Sequence, residues 1–210
     1  MYKYIAMDSE YCSMGRWISV IVGDALNLKL YEGKDLLEFI DEEWLTEEYL
    51  KDFDERLAQM SVEEAKQSEE MKKVHIALTK AIEKAVEKGP CILHERAATE
   101  LLKDREDCLR VHLYNTNMEH KIPRAIGDKS YHLDNMSHDE IVEFIIKEDK
   151  KRKVYHDAVC PTKWGEKEAY HICLDSDMLS REKCAEILIE AMKGVDLDLN
   201  HCAKVIERSF

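Results

Sequence analysis

Apolar and polar positions alternate over residues 2–7 and stop at Asp8-Ser9, which predicts a first strand running into a polar turn. The turn spans Ser9 to Gly15. The apolar stretch Trp17–Val22 behind it reads as a buried helix closed near Gly23, and Leu26–Tyr31 has the period of a second strand. Strand, turn, helix, strand is the opening of a parallel α/β unit. From Lys34 to Lys88 nearly everything follows a helical period. Ser61-Val-Glu-Glu64 fits a capping box, and the long helix behind it ends at Gly89-Pro90. Its many Glu and Lys residues read as a solvated face rather than a partner site.

Two further strands are predicted at Cys91–His94 and Leu109–Tyr114, with a helix over Ala97–Leu102 between them. Residues 118–126 look helical, but Pro123 removes a donor and crowds the preceding turn, which predicts a kink or an early end. Ser137-His-Asp-Glu140 is a second capping box, opening an amphipathic helix to about Tyr155. Tyr170–Leu174 completes the strands, and Arg181–Lys193 is a final packed helix. The pattern predicts one domain over 1–193, with a helical insertion at about 34–88, a lid-like region at about 127–165, and a helical extension over 194–210. The expected architecture is a three-layer α/β/α fold around a parallel sheet of about five strands, its long helix packed on the sheet.

Composition narrows the classes. A length of 210 residues suits one α/β domain. The net charge of −13 repels phosphate backbones and anionic lipid, so neither nucleic acid nor a membrane surface is an expected partner. A nucleotide site would need its own local positive pocket. Cysteines 12, 91, 108, 160, 173, 184 and 202 are scattered and never in C-x-x-C spacing, which reads as reduced core thiols of a cytoplasmic protein. The polar N-terminus is too short for a signal peptide, and no apolar run is long enough to span a membrane.

Several segments, in order, resemble the cytidylate kinase-like family of P-loop kinases. Members open with a strand and a turn of the type Ser-Arg-Glu-Tyr-Gly-Ser-Gly-Gly, read here as Asp8-Ser-Glu-Tyr-Cys-Ser-Met-Gly15. A family segment similar to Gly-Pro-Cys-Val-Ile-Val-Gly-Arg stands as Gly89–Arg96. Asp149-Lys-Lys-Arg-Lys-Val-Tyr155, Lys163-Trp-Gly165, Tyr170–Leu174 and Ser176 follow in register. The resemblance implies ATP-dependent phosphoryl transfer to a nucleoside monophosphate or similar small acceptor, with ATP and Mg2+ as cofactors if catalysis is retained. It implies a phosphate site at Cys12, Ser13, Met14, Gly15 and Arg16, with Arg96 orienting the acceptor, Arg124 and Arg152 as the catalytic cations, the latter reaching in from the lid, and Lys121 and Lys163 as further phosphate-binding cations. A nucleotide or phosphorylated metabolite is the implied small-molecule partner, and a homodimer is allowed.

The departures bear on catalysis. Cys12 and Met14 stand where the family has glycines, Ser9 replaces an arginine, and Glu95 replaces the glycine before Arg96. No Gly-x-x-x-x-Gly-Lys-Ser/Thr pattern occurs. A side chain at a left-handed position costs about 1–2 kcal/mol, and a methionine takes up space, so a collapsed loop is expected. Phosphoryl transfer is then weakened or lost; the alternative is a non-catalytic descendant binding a nucleotide, metabolite or protein. Other constellations count for less. Cys12 at a helix N-terminus could be an activated thiol, but no histidine is near in sequence. His132, His138, His156 and His171 with Cys160 and Cys173 match no zinc spacing. Asp8 and Glu10 could touch magnesium, and Trp164 either anchors a loop or stacks on a base.

Overall fold

Strands buried on both faces need near-continuous apolar runs, and Tyr4–Ser9 (β1) meets that demand, with all six residues buried. In the computed structural model, which describes residues 1–94 and 96–194, β1 is the middle of a five-stranded parallel sheet. Lys29–Tyr31 (β2), Cys91–His94 (β3), Cys108–Tyr114 (β4) and Ile172–Asp175 (β5) complete it in the order β2-β3-β1-β4-β5. Ile5 pairs with Ile92 on one side and with Leu109 on the other. The chain leaves β1 through the helix after it on one face and enters both neighbours of β1 from helices on the other, and the change of face at β1 opens a crevice at its carboxyl end. The extension expected over 194–210, Glu95 and Cys202 lie outside the described residues, except for Gly194.

Side-chain alternation along β1 sorts the layers. Ile5 and Met7 point to a core shared with Gly15–Leu26 (α1) and Arg181–Lys193 (α8), through Ile18, Val22, Leu188 and Met192. Tyr4 and Ala6 face the other side, where Ala81, Ile82 and Ala85 of Glu69–Glu87 (α4) and Ala98 of Ala98–Leu101 (α5) cover the sheet. The long helix before Gly89 does pack on the sheet. A third core forms away from the strands, between α4, Glu47–Leu57 (α2), Val62–Gln67 (α3) and His138–Val159 (α7), around Phe53, Leu57, Met71, Val74 and Tyr155. Met118–Gly127 (α6) packs on α7 and on the first turn through Tyr11, Ile122, Ala125 and Ile145.

Several local expectations are corrected. Helix α1 does not close at Gly23 but runs to Leu26, where Asn27 takes the left-handed cap at φ 53°. Gly23 is there for space: a Cβ would lie 2.8 Å from the carbonyl oxygen of Leu28. The Ser61 box opens only the six-residue α3; α4 starts afresh, with Ser68 accepting from the Met71 amide. Helix α6 runs through Pro123 to Gly127, since buried Ile122 and Ala125 hold it against its neighbours on both sides of the missing donor. Helix α7 extends past Tyr155 to Val159 before Pro161 bars continuation. Among the described residues no helix is long and apolar enough to cross a membrane.

Candidate active site

Beyond β1 the chain turns back into α1 in five residues, and two of them are left-handed: Cys12 at φ 63° and Met14 at φ 66°. Ser13 is buried and locks the turn, its amide and hydroxyl both donating to the Glu10 carbonyl, at 3.1 and 2.8 Å. Gly15 has no alternative here. A Cβ would fall 2.5 Å from Ser9 Oγ, and Ser9 is itself hydrogen-bonded at 2.8 Å to His94 Nε2 at the end of β3. Among the described residues no side chain caps α1, so its first amides have no side-chain acceptor at the positive end of the dipole.

The collapsed loop expected from the sequence is not found. The turn walls an open cavity of about 560 Å³. Met14 rests against the α1–α8 core and Cys12 against the cluster under α6, so each long side chain finds an apolar bed beside the concavity. The curvature persists without glycine at a cost of about 1–3 kcal/mol for each strained residue. Arg96 and Ala97 are left-handed too, at φ 59° and 60°. Four of the six such non-glycine residues among those described therefore border the same crevice, as strain retained at a functional site would.

The cations separate into groups. Arg16, Arg124 and Arg152 line the larger cavity with Cys12, Met14 and Gly15. Arg124, from α6, donates to the Cys12 carbonyl at 2.9 Å and so clamps the turn, while Arg16 pairs with Glu32 at 3.1 Å. Arg152, from α7, lies 5.7 Å from the Tyr11 ring, donates to the Glu148 carbonyl, and also borders a second cavity of about 150 Å³. Arg96 lines that second cavity and forks onto Asp54 at 2.8 and 2.7 Å. Two cations expected in the site stand outside the cavities. Lys121 is buried beneath the turn, 3.2 Å from Glu10 and 3.0 Å from Asp149. Lys163 is half-exposed and 3.9 Å from Asp157, bordering neither cavity.

Burial sets the ionisation of the turn. The Cys12 thiol is pushed up to about 11, chiefly by burial, and stays protonated near neutral pH, the reverse of an activated nucleophile. Burial also raises the Asp149 carboxyl, opposed by the Lys121 ammonium and the Tyr11 amide, which donates to it at 2.5 Å. The carboxylates considered for magnesium, Asp8 and Glu10, are engaged. Asp8 accepts from Thr99 and Tyr170, and Glu10 from Lys121 and the Asn115 amide. They do not fit a magnesium site in this arrangement.

Sequence reasoning missed Asp54, Asp8 as a hydrogen-bond hub, the Ser9–His94 pair and the buried face of His156. Asp54 meets Arg96 across a separation of 42 residues that includes β3, and no local pattern marks such a pair. Trp164 lines the smaller cavity and sets its ring edge against His112.

The sequence profile described as the cytidylate kinase-like family matches residues 4–178. Among curated proteins no sequence match is found. The fold is similar to a crystal structure of an uncharacterized protein from Eubacterium ventriosum, with a TM-score of 0.70 and 20% identity over 91% of this chain and 99% of that one. It is also similar to a shikimate kinase from Bacteroides thetaiotaomicron, with a TM-score of 0.53 and 14% identity over 91% of this chain and 98% of that one. At such identities these likenesses bear on the fold alone: a P-loop kinase sheet with helices on both faces. With the profile spanning most of its length, the chain belongs to the cytidylate kinase-like family.

Proposed function

We propose that the crevice above β1 holds a small nucleotide or phosphorylated metabolite, and that ATP-dependent transfer to a nucleoside monophosphate or similar small acceptor is weakened by Cys12 and Met14. The observation that carries this reading is the turn itself. It keeps left-handed backbone at the two positions where the family has glycines, and it borders an open cavity beside the uncapped end of α1. An anion there meets amides without a side-chain acceptor and a favourable dipole end. Arg124 steadies the turn from α6, and Arg152 is the cation shared by the two cavities, suited to charge passing from donor to acceptor. The weakening follows from the same geometry. Cys12 and Met14 add side chains to the wall, and Arg16 is already paired with Glu32. A phosphate must compete with that carboxylate.

A second reading, binding without catalysis, is favoured by the Arg96–Asp54 fork, which engages both terminal nitrogens of the guanidinium that would orient an acceptor. For either reading we place the chain in the cytoplasm, because its scattered cysteines, among the described residues, stand as free thiols, and we expect no nucleic-acid partner, because a net charge of −13 opposes polyanions.

Calorimetry of Mg·ATP binding to the wild type and to Cys12→Gly/Met14→Gly separates these readings. The double change should tighten ATP at least tenfold, about 1.4 kcal/mol. Equal affinity in the two forms contradicts the weakened-loop account. Binding by neither moves the weight to the non-catalytic reading.

A further inference from the structure

The first turn holds two serines in different ways. Ser13 donates to the Glu10 carbonyl at 2.8 Å, a bond to a group that cannot take up its proton. Ser9, which stands where the family has an arginine, is joined at 2.8 Å to Nε2 of His94, which can. The pair is assembled from three strand ends. Ser9 closes β1, His94 closes β3, and Glu32, the residue after β2, sets Oε1 3.7 Å from His94 Nδ1 while its other oxygen faces Arg16 at 3.1 Å. The Glu32–His94 distance is too long for a hydrogen bond, but the charge favours the tautomer with its proton on Nδ1. Nε2 then accepts from the Ser9 hydroxyl. The same carboxylate favours the imidazolium that forms when that proton moves. Hydroxyl, imidazole and carboxylate side by side are the parts of an activated serine, which is recognised by geometry rather than by order in the chain.

The position of the pair says what it can attack. A Cβ on Gly15 would lie 2.5 Å from Ser9 Oγ and 3.1 Å from His94 Nε2, so both atoms stand against the first residue of α1. Ser9 and His94 line the larger cavity although they are only 4% and 5% exposed, which puts them at its floor. An anion drawn to the amides at that helix end comes to rest beside the hydroxyl. Glu10, Glu32 and Asp128 share the cavity wall with Arg16, Arg124 and Arg152, so the choice of ligand rests on those amides rather than on net charge. A phosphoryl group in an anhydride carries the charge that the amides favour, and its leaving group departs without needing a proton. A carboxylic ester brings no such charge.

We propose that Ser9 is a phosphoryl acceptor, taking the terminal phosphoryl group of an anhydride-linked phosphate held at the turn, with His94 as the base. The inference rests on the reading above that the crevice holds a phosphorylated ligand, and it adds a reaction that needs no second substrate. Ser9 Oγ bonds to phosphorus as the anhydride P–O bond breaks. The hydroxyl proton passes to His94 Nε2 and from there to solvent, and the electron pair of the broken bond leaves on the departing oxygen. The product is phosphoserine at the end of β1. Its charge occupies the helix end where the next donor would bind, so transfer stops at a single group.

The test incubates the full chain with Mg·ATP and, separately, with acetyl phosphate, a donor that needs no nucleotide site, and follows intact mass and phosphopeptide maps. The wild type should gain a single phosphoryl group from at least one donor, located on Ser9. Ser9→Ala should gain none. His94→Gln, which can still hydrogen-bond to Ser9 but cannot take up its proton, should slow incorporation about a hundredfold. A pair that only holds the turn would leave Ser9 unmodified in every form. Equal rates in wild type and His94→Gln contradict the role of His94. Labelling by acetyl phosphate alone upholds the inference with a small acyl phosphate as donor, and the Mg·ATP titration then judges the nucleotide reading by itself. Should Ser9→Ala fail to fold, the peptide map of the wild type still locates the group. No phosphoryl group on Ser9 with either donor overturns the inference, and Mg·ATP binding in the titration would leave the crevice reading standing.

Discussion

Replacing Gly15 by alanine tests how the first turn is held. The added Cβ would lie 2.5 Å from Ser9 Oγ, 2.6 Å from Ser9 Cβ and 3.1 Å from His94 Nε2. The first two approaches are not tolerated, so Ser9 must move, and with it the buried 2.8 Å hydrogen bond to His94. Overpacking of this kind costs about 1–3 kcal/mol, and stranding a buried hydrogen-bonding partner adds about 1–3 kcal/mol. Alanine's better helix propensity returns at most about 1 kcal/mol. The steric term wins, and a net loss of about 2–3 kcal/mol is expected. In a chain of 210 residues that lowers the melting temperature by about 4–12 °C. Urea unfolding with a shared m-value measures it. A second change, Ser9→Gly, removes both close contacts, so Ser9→Gly/Gly15→Ala should be less destabilised than the two single effects added together, by about 1 kcal/mol or more. Gly15→Ala within about 0.5 kcal/mol of wild type, or strict additivity with Ser9→Gly, would refute this account of the turn.

Two other predictions concern buried charge. Lys121→Met should destabilise the fold by about 3–5 kcal/mol, because Glu10 and Asp149 lose the ammonium between them; urea denaturation should show the loss shrinking as the pH is lowered and the carboxyls take up protons. Burial holds His112 down to about 4, while an unfolded histidine titrates near 6.5. Its contribution is complete above pH 6.5 and about 3 kcal/mol of stability is lost as the pH falls to 4. His112→Phe should flatten that limb of the pH–stability curve, and an unchanged slope would contradict the assignment.

Much of the architecture was legible because it depends on local signals. The continuous apolar run of β1, the capping residue Ser137 and the helix Arg181–Lys193 each announce themselves within a few residues. Where the reading failed, packing rather than periodicity decided. Gly23 looked like a helix end but serves the approach of Leu28, and Pro123 looked like a break but is held by packing on both sides. The site was legible as a set of positions and illegible as an arrangement. The turn Ser9–Gly15 and Arg96, Arg124 and Arg152 gather at the crevice, yet nothing in the sequence says that Lys121 turns inward to two carboxylates or that Lys163 stands aside. Collapse of the loop was expected from backbone strain and side-chain volume. The apolar beds that receive Cys12 and Met14 are tertiary features.

The central claim is that the turn is still shaped for phosphate but grips ATP poorly. Amide NMR of the wild type during a Mg·ATP titration, with nucleoside-monophosphate turnover followed in the same samples, tests it most directly. The account predicts millimolar affinity, shifts centred on Ser13, Gly15 and Arg16, and little or no turnover. Low-micromolar affinity with sustained turnover, or shifts that leave the turn untouched, would contradict it.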